Sequence, residues 1–227
     1  MILEIEGLLD DATLARFQAE LRAAPWSDGR ATAGYQSALA KNNLQLAQDH
    51  PLGERLGAEL LAALDRNLAF QSAALPARVF PPLFNLYREG HAFGAHVDNA
   101  YRPLPAGGQR LRTDLSATLF LADPAEYDGG ELVIEDAYGS QSVKLAAGSM
   151  ILYPSTSLHG VDRITRGSRL AAIFWVQSLV ADDARRSLLF DMDISIQNLR
   201  KSVPDDDAAL ITLTGCYHNL LRMWGSR

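Results

Sequence analysis

The sequence predicts a mainly β fold with α additions: a double-sheet jelly roll flanked by helices at both ends. Three observations point there. From about Ala77 onward the apolar residues alternate with period 2, in short runs punctuated by Gly, Asp and Pro. Before that point, and again after Val180, they recur at three- and four-residue steps, which is helical spacing. Several short strands separated by close turn signals are the signature of two facing antiparallel sheets.

Taken in order, residues 1–6 read as a short strand. Asp10 or Asp11 then caps a helix through "ATLARFQAELRAA", with Leu14, Phe17 and Leu21 on one face. "PWSDGRATAG" reads as a loop. Leu52, Leu56, Leu60, Leu61 and Leu64 mark an amphipathic helix from about Pro51 to Phe70, expected to pack on the outer face of a sheet. "ARVFPPLFNLYREG" is a strand interrupted at Pro81-Pro82, because proline cannot donate to a ladder. "DLSATLFLAD" puts Leu115, Ala117 and Leu119 on one face and Ser116, Thr118 and Phe120 on the other. "GGELVIED", "QSVKLAAGSMILYPS" and "RLAAIFWVQSLV" continue the strand series. Two helices close the chain, joined at Val203-Pro204 and capped by Asp182 and Asp205. Leu188, Leu189, Ile194 and Leu199 on the first, and Leu210, Leu213, Leu220 and Leu221 on the second, are expected to dock on the barrel and to offer a homo-oligomer contact. Residues 1–77 are thus an N-terminal strand and packing helices, 78–178 the jelly-roll core, and 179–227 a C-terminal helical subdomain.

Composition narrows the function. The 227 residues are 48% hydrophobic and 21% charged, an ordinary globular balance. A net charge of −6 argues against nucleic acid as a main partner, since phosphate contacts need a basic surface. The N-terminus "MILEIEGLLDD" lacks the basic region of a signal peptide, and "LAAIFWVQSLVA" is too short to span a bilayer. We therefore expect a cytoplasmic protein without membrane insertion. The single cysteine, Cys216, allows no internal disulfide and reads as a small core hydrophobe.

The chemistry concentrates in "GHAFGAHVDNAY" and "ILYPSTSLHGVDRITRGSRLAAIFW". His96 and Asp98, two apart on a strand, would share one face, and His159 would arrive on another strand. Two imidazoles and one carboxylate cover one face of a metal and leave other positions open, the ligand set of non-haem Fe(II) oxygenases. They leave a net single positive charge on a divalent iron, which favours an anionic chelator. Arg169 follows His159 by ten residues and shares a strand face with Ala171, Ile173 and Trp175. An arginine pointing inward among such residues is costly unless a carboxylate pairs with it.

These residues carry a resemblance. The stretches "NLYREGHAFGAHVDN", "RTDLSATLFLADPAEYDGGELVIED" and "GSMILYPSTSLHGVDRITRGSRLAAIFWVQS" resemble the Fe(II)- and 2-oxoglutarate-dependent dioxygenases of the prolyl 4-hydroxylase-like branch, and more closely the PKHD-type (PiuC-like) hydroxylases. The flanking helical parts look like that group too. The resemblance implies a double-stranded β-helix in which His96, Asp98 and His159 bind Fe(II) and Arg169 clamps the distal carboxylate of 2-oxoglutarate. It implies O2 as co-substrate, ascorbate as reductant, succinate and CO2 as products, hydroxylation of an unidentified primary substrate, and a link to iron homeostasis. Tyr87 and Asn85 resemble co-substrate hydrogen-bond partners, with a plainly packed tyrosine as the other reading. Two rival classes stay open: a non-catalytic iron and 2-oxoglutarate sensor, and a cupin-like metal protein without a redox cycle.

The other candidates take plainer readings. His91 is a loop residue, His50 an exposed residue at a helix start, and His218 a helix-surface or core residue. Gly129-Gly130 is a turn or bulge before a strand, since no helix follows to bind phosphate. Trp175 and Trp224 read as core, and Asp205-Asp206-Asp207 as a helix N-terminus.

Overall fold

The computed structural model describes residues 1–32, 40–105, 107–136 and 139–226. Strand β1 (Leu3–Ile5) leads into helix α1 (Asp11–Arg22), followed by β2 (Trp26–Asp28), β3 (Lys41–Asn42) and β4 (Leu44–Leu46). Helices α2 (Pro51–Arg66) and α3 (Leu68–Ala74) come next, then β5 (Pro76–Val79), β6 (Leu83–Arg88), β7 (Ala92–His96), β8 (Tyr101–Pro103), β9 (Arg110–Arg112) and β10 (Leu115–Phe120). The series continues through β11 (Tyr127–Asp128), β12 (Leu132–Asp136), β13 (Gly139–Val143), β14 (Met150–Pro154), β15 (Leu158–Val161) and β16 (Arg166–Ser178). Helices α4 (Asp183–Leu199) and α5 (Ala208–Trp224) close the chain.

The long strand β16 is the spine of the larger sheet, ordered β1-β14-β10-β16-β6-β4-β2, and β5 and β11 also pair with it. The smaller sheet runs β13-β12-β15-β7-β3, and β8 and β9 form a separate hairpin. All the pairings are antiparallel, so the architecture is the expected two-sheet jelly roll with helices at both ends. Strand β10 lies between β14 and β16 inside the larger sheet, and all six of its residues are buried.

The helices form where their caps and apolar faces dictate. Asp10 caps α1 by accepting from the Thr13 amide at 2.7 Å. The helix buries Phe17 and Leu21, and Phe17 meets Phe84 of β6 edge to face. Helix α2 starts at Pro51 and buries Leu56, Leu60 and Leu64 completely. The predicted helix to Phe70 is in fact two. Asn67 leaves helical geometry and its side chain caps α3 through the Phe70 amide at 2.8 Å. His50, expected to be exposed, is half-buried because its ring caps α2 by accepting from the Leu52 amide.

Four further expectations need correction. "PWSDGRATAG" is not simply a loop: Trp26–Asp28 pairs with β4, and a 3-10 turn follows, while residues 33 and 34 lie outside the described residues. Asp207, not Asp205, caps α5, accepting from the Ala209 and Leu210 amides; Asp182 caps α4 as expected. Cys216 is exposed, because α5 buries only Leu210 fully. Leu189 and Leu210 are buried and Leu220 and Leu221 partly so, but Leu188, Ile194, Leu199 and Leu213 face outward. The C-terminal pair is held by polar ties as well. Arg186, 1% exposed, donates to the Val180 carbonyl and to Asp183, and Ser72 of α3 donates to Asp193 at 2.6 Å. Among the described residues, no helix is long and apolar enough to cross a membrane.

Candidate active site

Strands β7 and β15 are neighbours, and their register sets His96 directly opposite His159. A bulge follows His159, and Gly160 lets the strands approach there: a Cβ at Gly160 would sit 2.8 Å from the Phe93 carbonyl oxygen. Asp98 departs from expectation. Strand β7 ends at His96, so Asp98 lies two residues beyond it on irregular backbone. The carboxylate still reaches the pair, because Ser116 of β10 donates to Asp98 Oδ2 at 2.6 Å and itself contacts Ser155 at 2.8 Å. One ligand atom from each of His96, Asp98 and His159 falls within 4.8 Å of the others.

The imidazoles are oriented by their own backbone. His96 Nδ1 lies 2.9 Å from the Gly94 carbonyl and His159 Nδ1 lies 3.0 Å from the Ser157 carbonyl. Each Nδ1 therefore carries its proton toward a carbonyl, which leaves Nε2 with a free lone pair. Phe93 stacks on His96 at 3.7 Å, and Tyr153 meets the His159 ring edge to face at 5.0 Å. Burial, and next the neighbouring His159 ring, push His96 below its ordinary pKa, so the neutral ligand form is favoured. The donor set fits a divalent metal: two neutral nitrogens, one hydrogen-bonded carboxylate and an open side.

Arg169 lines the same cleft, which encloses about 730 Å³ including its open mouth. It is 1% exposed, and its Nε and Nη2 find no acceptor among the described residues. Its guanidinium sits 5.3 Å from the Tyr87 ring and 5.1 Å from the Phe120 ring. Gly130 makes room for it, since a Cβ there would lie 3.2 Å from Arg169 Cδ, at a φ of +71° that also favours glycine. A buried cation with two idle donors is a demand for an anion. Burial raises the Tyr87 pKa, against the opposing charge of Arg169, so the phenol stays a neutral donor.

The cleft wall collects Tyr87, Ser116 and Thr118 as predicted faces suggest. Asn85 is fully buried but is not on that wall. Its amide is engaged by Asn43 at 3.3 Å and donates to the Leu83 carbonyl. Trp175, read as core, is buried yet lines the cleft. His91 accepts from the Arg88 amide in its turn, and His218 is exposed on α5. Two cationic cleft residues escaped the sequence reading: Lys41 on β3 and Arg102 on β8. Arg102, four residues after Asp98, belongs to no recognisable motif, and Lys41 sits on a two-residue strand without periodicity.

Comparison with known proteins agrees with this geometry. The profile of the 2OG-Fe(II) oxygenase superfamily matches residues 82–177, and that of the PKHD-type hydroxylase C-terminal domain matches residues 183–226. The chain is 58% identical over 224 residues to a PKHD-type hydroxylase of Gluconobacter oxydans and 55% identical to one of Bordetella pertussis, covering 99% of both chains in each case. Among solved structures, a prolyl-4-hydroxylase of Pseudomonas putida aligns with a TM-score of 0.54 at 19% identity, covering 78% of this chain and 92% of that one. A non-heme alpha ketoglutarate dependent carbocyclase of nogalamycin biosynthesis, SnoK, aligns at 0.55 and 16% identity, covering 79% and 80%. These structural likenesses speak for the fold, while the long, near-complete sequence matches speak for the family: the chain belongs to the PKHD-type hydroxylases of the 2OG-Fe(II) oxygenase superfamily.

Proposed function

We propose that His96, Asp98 and His159 hold Fe(II), that Arg169 pairs with the distal carboxylate of 2-oxoglutarate, and that residues 78–178 form the catalytic core. The observation that carries this reading is one cleft holding both a three-ligand cluster and a buried arginine with two unsatisfied donors. When bound, iron with 2-oxoglutarate and O2 supplies oxidative decarboxylation to succinate and CO2, coupled to hydroxylation of a primary substrate.

The protein's own residues do the positioning. The Gly94 and Ser157 carbonyls fix the tautomers that turn each Nε2 toward the metal. Ser116 occupies Asp98 Oδ2 and holds the carboxylate in place. Tyr87, opposite Arg169 in the β6–β16 register, is the nearer of the two predicted co-substrate partners, since Asn85 is used internally. The apolar walls at Leu132, Val161 and Ile173 limit water around the reacting groups. Ascorbate is the expected reductant and the cytoplasm the expected compartment. A homo-oligomer contact would use the outward apolar residues of α4 and α5. The resemblance-based link to iron homeostasis leads us to expect higher expression under iron starvation.

A site without a carboxylate ligand has no use for Arg169, which disfavours a plain metal-binding role. The test is iron binding and 2-oxoglutarate consumption by His96→Ala and Asp98→Ala. Both should lose tight Fe(II) binding and turnover while remaining folded. A variant still consuming 2-oxoglutarate at near wild-type rate would refute the ligand assignment. Wild-type protein that binds both partners and never turns over would instead mark a sensor.

A further inference from the structure

The proposed iron and co-substrate account for His96, Asp98, His159 and Arg169, and leave cationic groups over. Arg102 lies on the β8–β9 hairpin with its guanidinium 3.8 Å above the Trp175 ring and 5.1 Å from the Phe80 ring. Its Nε is buried and meets no acceptor among the described residues, and the same is true of Trp175 Nε1. Lys41, 5% exposed, lines the cleft from β3 and donates to Gln45 Oε1 at 3.0 Å. Burial, and next the positive charge of Arg102, push the Lys41 ammonium down to about 8, so the two cations act on one another.

The charges in the cleft do not balance. Lys41, Arg102 and Arg169 face only one acidic side chain on the wall, Asp98, among the described residues. A divalent metal and a dianionic co-substrate cancel, and they would engage Asp98 and Arg169, so Arg102 keeps no acidic partner on the wall when both are bound. The co-substrate's own carboxylates are spoken for, one at the metal and one at Arg169. Stacking on Trp175 occupies the face of Arg102 and leaves its edge, where Nε points, for an in-plane acceptor. The wall around it is apolar, with Leu83, Ile173 and Trp175.

Resting on the oxygenase reading above, we propose that the primary substrate is an organic acid with a hydrocarbon body, whose carboxylate accepts from Arg102, and from Trp175 Nε1, beside Lys41. Arg102 is then a specificity-determining residue distinct from the co-substrate arginine. A substrate without an acceptor there would leave Arg102 Nε and Trp175 Nε1 buried without a partner, a costly way to fill such a cleft.

The test uses full-length protein loaded with Zn(II) in place of iron and saturated with 2-oxoglutarate, so that no turnover interferes. Hexanoate and hexanamide, equal in size and different in charge, are titrated by ligand-observed NMR. Hexanoate should bind roughly tenfold or more tightly than hexanamide, the value of one charge-assisted contact. Arg102→Gln should erase that preference while 2-oxoglutarate affinity stays within about twofold. Arg102→Lys should keep part of the preference, because the charge remains without the fork. Arg169→Gln should do the reverse, losing 2-oxoglutarate. Equal binding of the two probes by wild type, or an Arg102→Gln protein that keeps the preference, would overturn the proposal. So would an Arg102→Gln protein that loses 2-oxoglutarate as severely as Arg169→Gln. Wild type that fails to bind 2-oxoglutarate would instead overturn the oxygenase reading on which this rests.

Discussion

Replacing Arg169 separates a 2-oxoglutarate enzyme from any other iron protein. Its side chain is 1% exposed and offers Nε and Nη2 without an acceptor among the described residues. A carboxylate taking both donors makes two charge-assisted hydrogen bonds, each worth about 1.5–3 kcal/mol. Leaving that carboxylate buried without its partner costs about 3–5 kcal/mol, or roughly two to four decades in affinity. Arg169→Gln should therefore weaken 2-oxoglutarate by that factor, and Arg169→Lys should recover only part of it. Iron affinity should hardly move, since Arg169 is not in the ligand cluster. Without co-substrate, Arg169→Met should melt no lower than wild type, because it removes a buried charge that no acidic side chain among the described residues pairs with. Calorimetric titration of both ligands and a melting curve on the same variants decide the matter. A joint fall of iron affinity, co-substrate affinity and melting temperature would show Arg169 to be structural. Unchanged 2-oxoglutarate affinity would place the carboxylate elsewhere.

Three other outcomes are expected. Ser116→Ala removes the 2.6 Å hydrogen bond to Asp98 Oδ2 and should cost about 10–100-fold in metal affinity, read by competition with a chelator; unchanged affinity would mean Asp98 is fixed by other contacts. Lys41 has a folded pKa of about 8 against an ordinary 10.5, so between those values the unfolded chain binds more protons. The stability of wild type relative to Lys41→Met should accordingly rise from pH 8 to pH 10.5, and a flat difference across that window of thermal melts would contradict the burial of the charge. Truncation after Ala181 removes Arg186 and Leu189 with their buried contacts and should lower the melting temperature and the oligomeric order without removing a metal ligand; a soluble monomer with unchanged melting would refute both roles of the C-terminal helices.

Legibility followed pattern length. Strands β10 and β16 are long enough for alternation to show which side chains share a face, so Ser116, Thr118, Arg169 and Trp175 could be grouped in advance. Strands β2, β3 and β4 have two or three residues each, too few for a period, and Lys41 went unnoticed with them. Apolar spacing in α5 gave the helix but not what covers it, hence the exposed Cys216. Arg102 could not be read because its significance depends on Trp175, far away in sequence, lying beneath it. The break at Asn67 was hidden for another reason: asparagine caps a new helix without interrupting the apolar rhythm.

The displacement of Asp98 from the strand changes how the site is held together. Both histidines are fixed within the smaller sheet, by the β7–β15 register and by carbonyls two residues before each ring. Asp98 has no ladder of its own and takes its position from Ser116, which belongs to the larger sheet. Arg169 and Trp175 also come from the larger sheet, on β16. The proposed metal and co-substrate would therefore join the two sheets, with two nitrogens from one, and the carboxylate clamp and the support of the third ligand from the other. Close-packed glycines shape both parts: Gly160 brings β7 against β15 within the smaller sheet, and Gly130 admits Arg169 beneath the turn. Geometry at the proposed metal site would thus depend on sheet-to-sheet packing as much as on the ligands, because a core shift that moves β10 relative to β7 would move Asp98 away from both imidazoles.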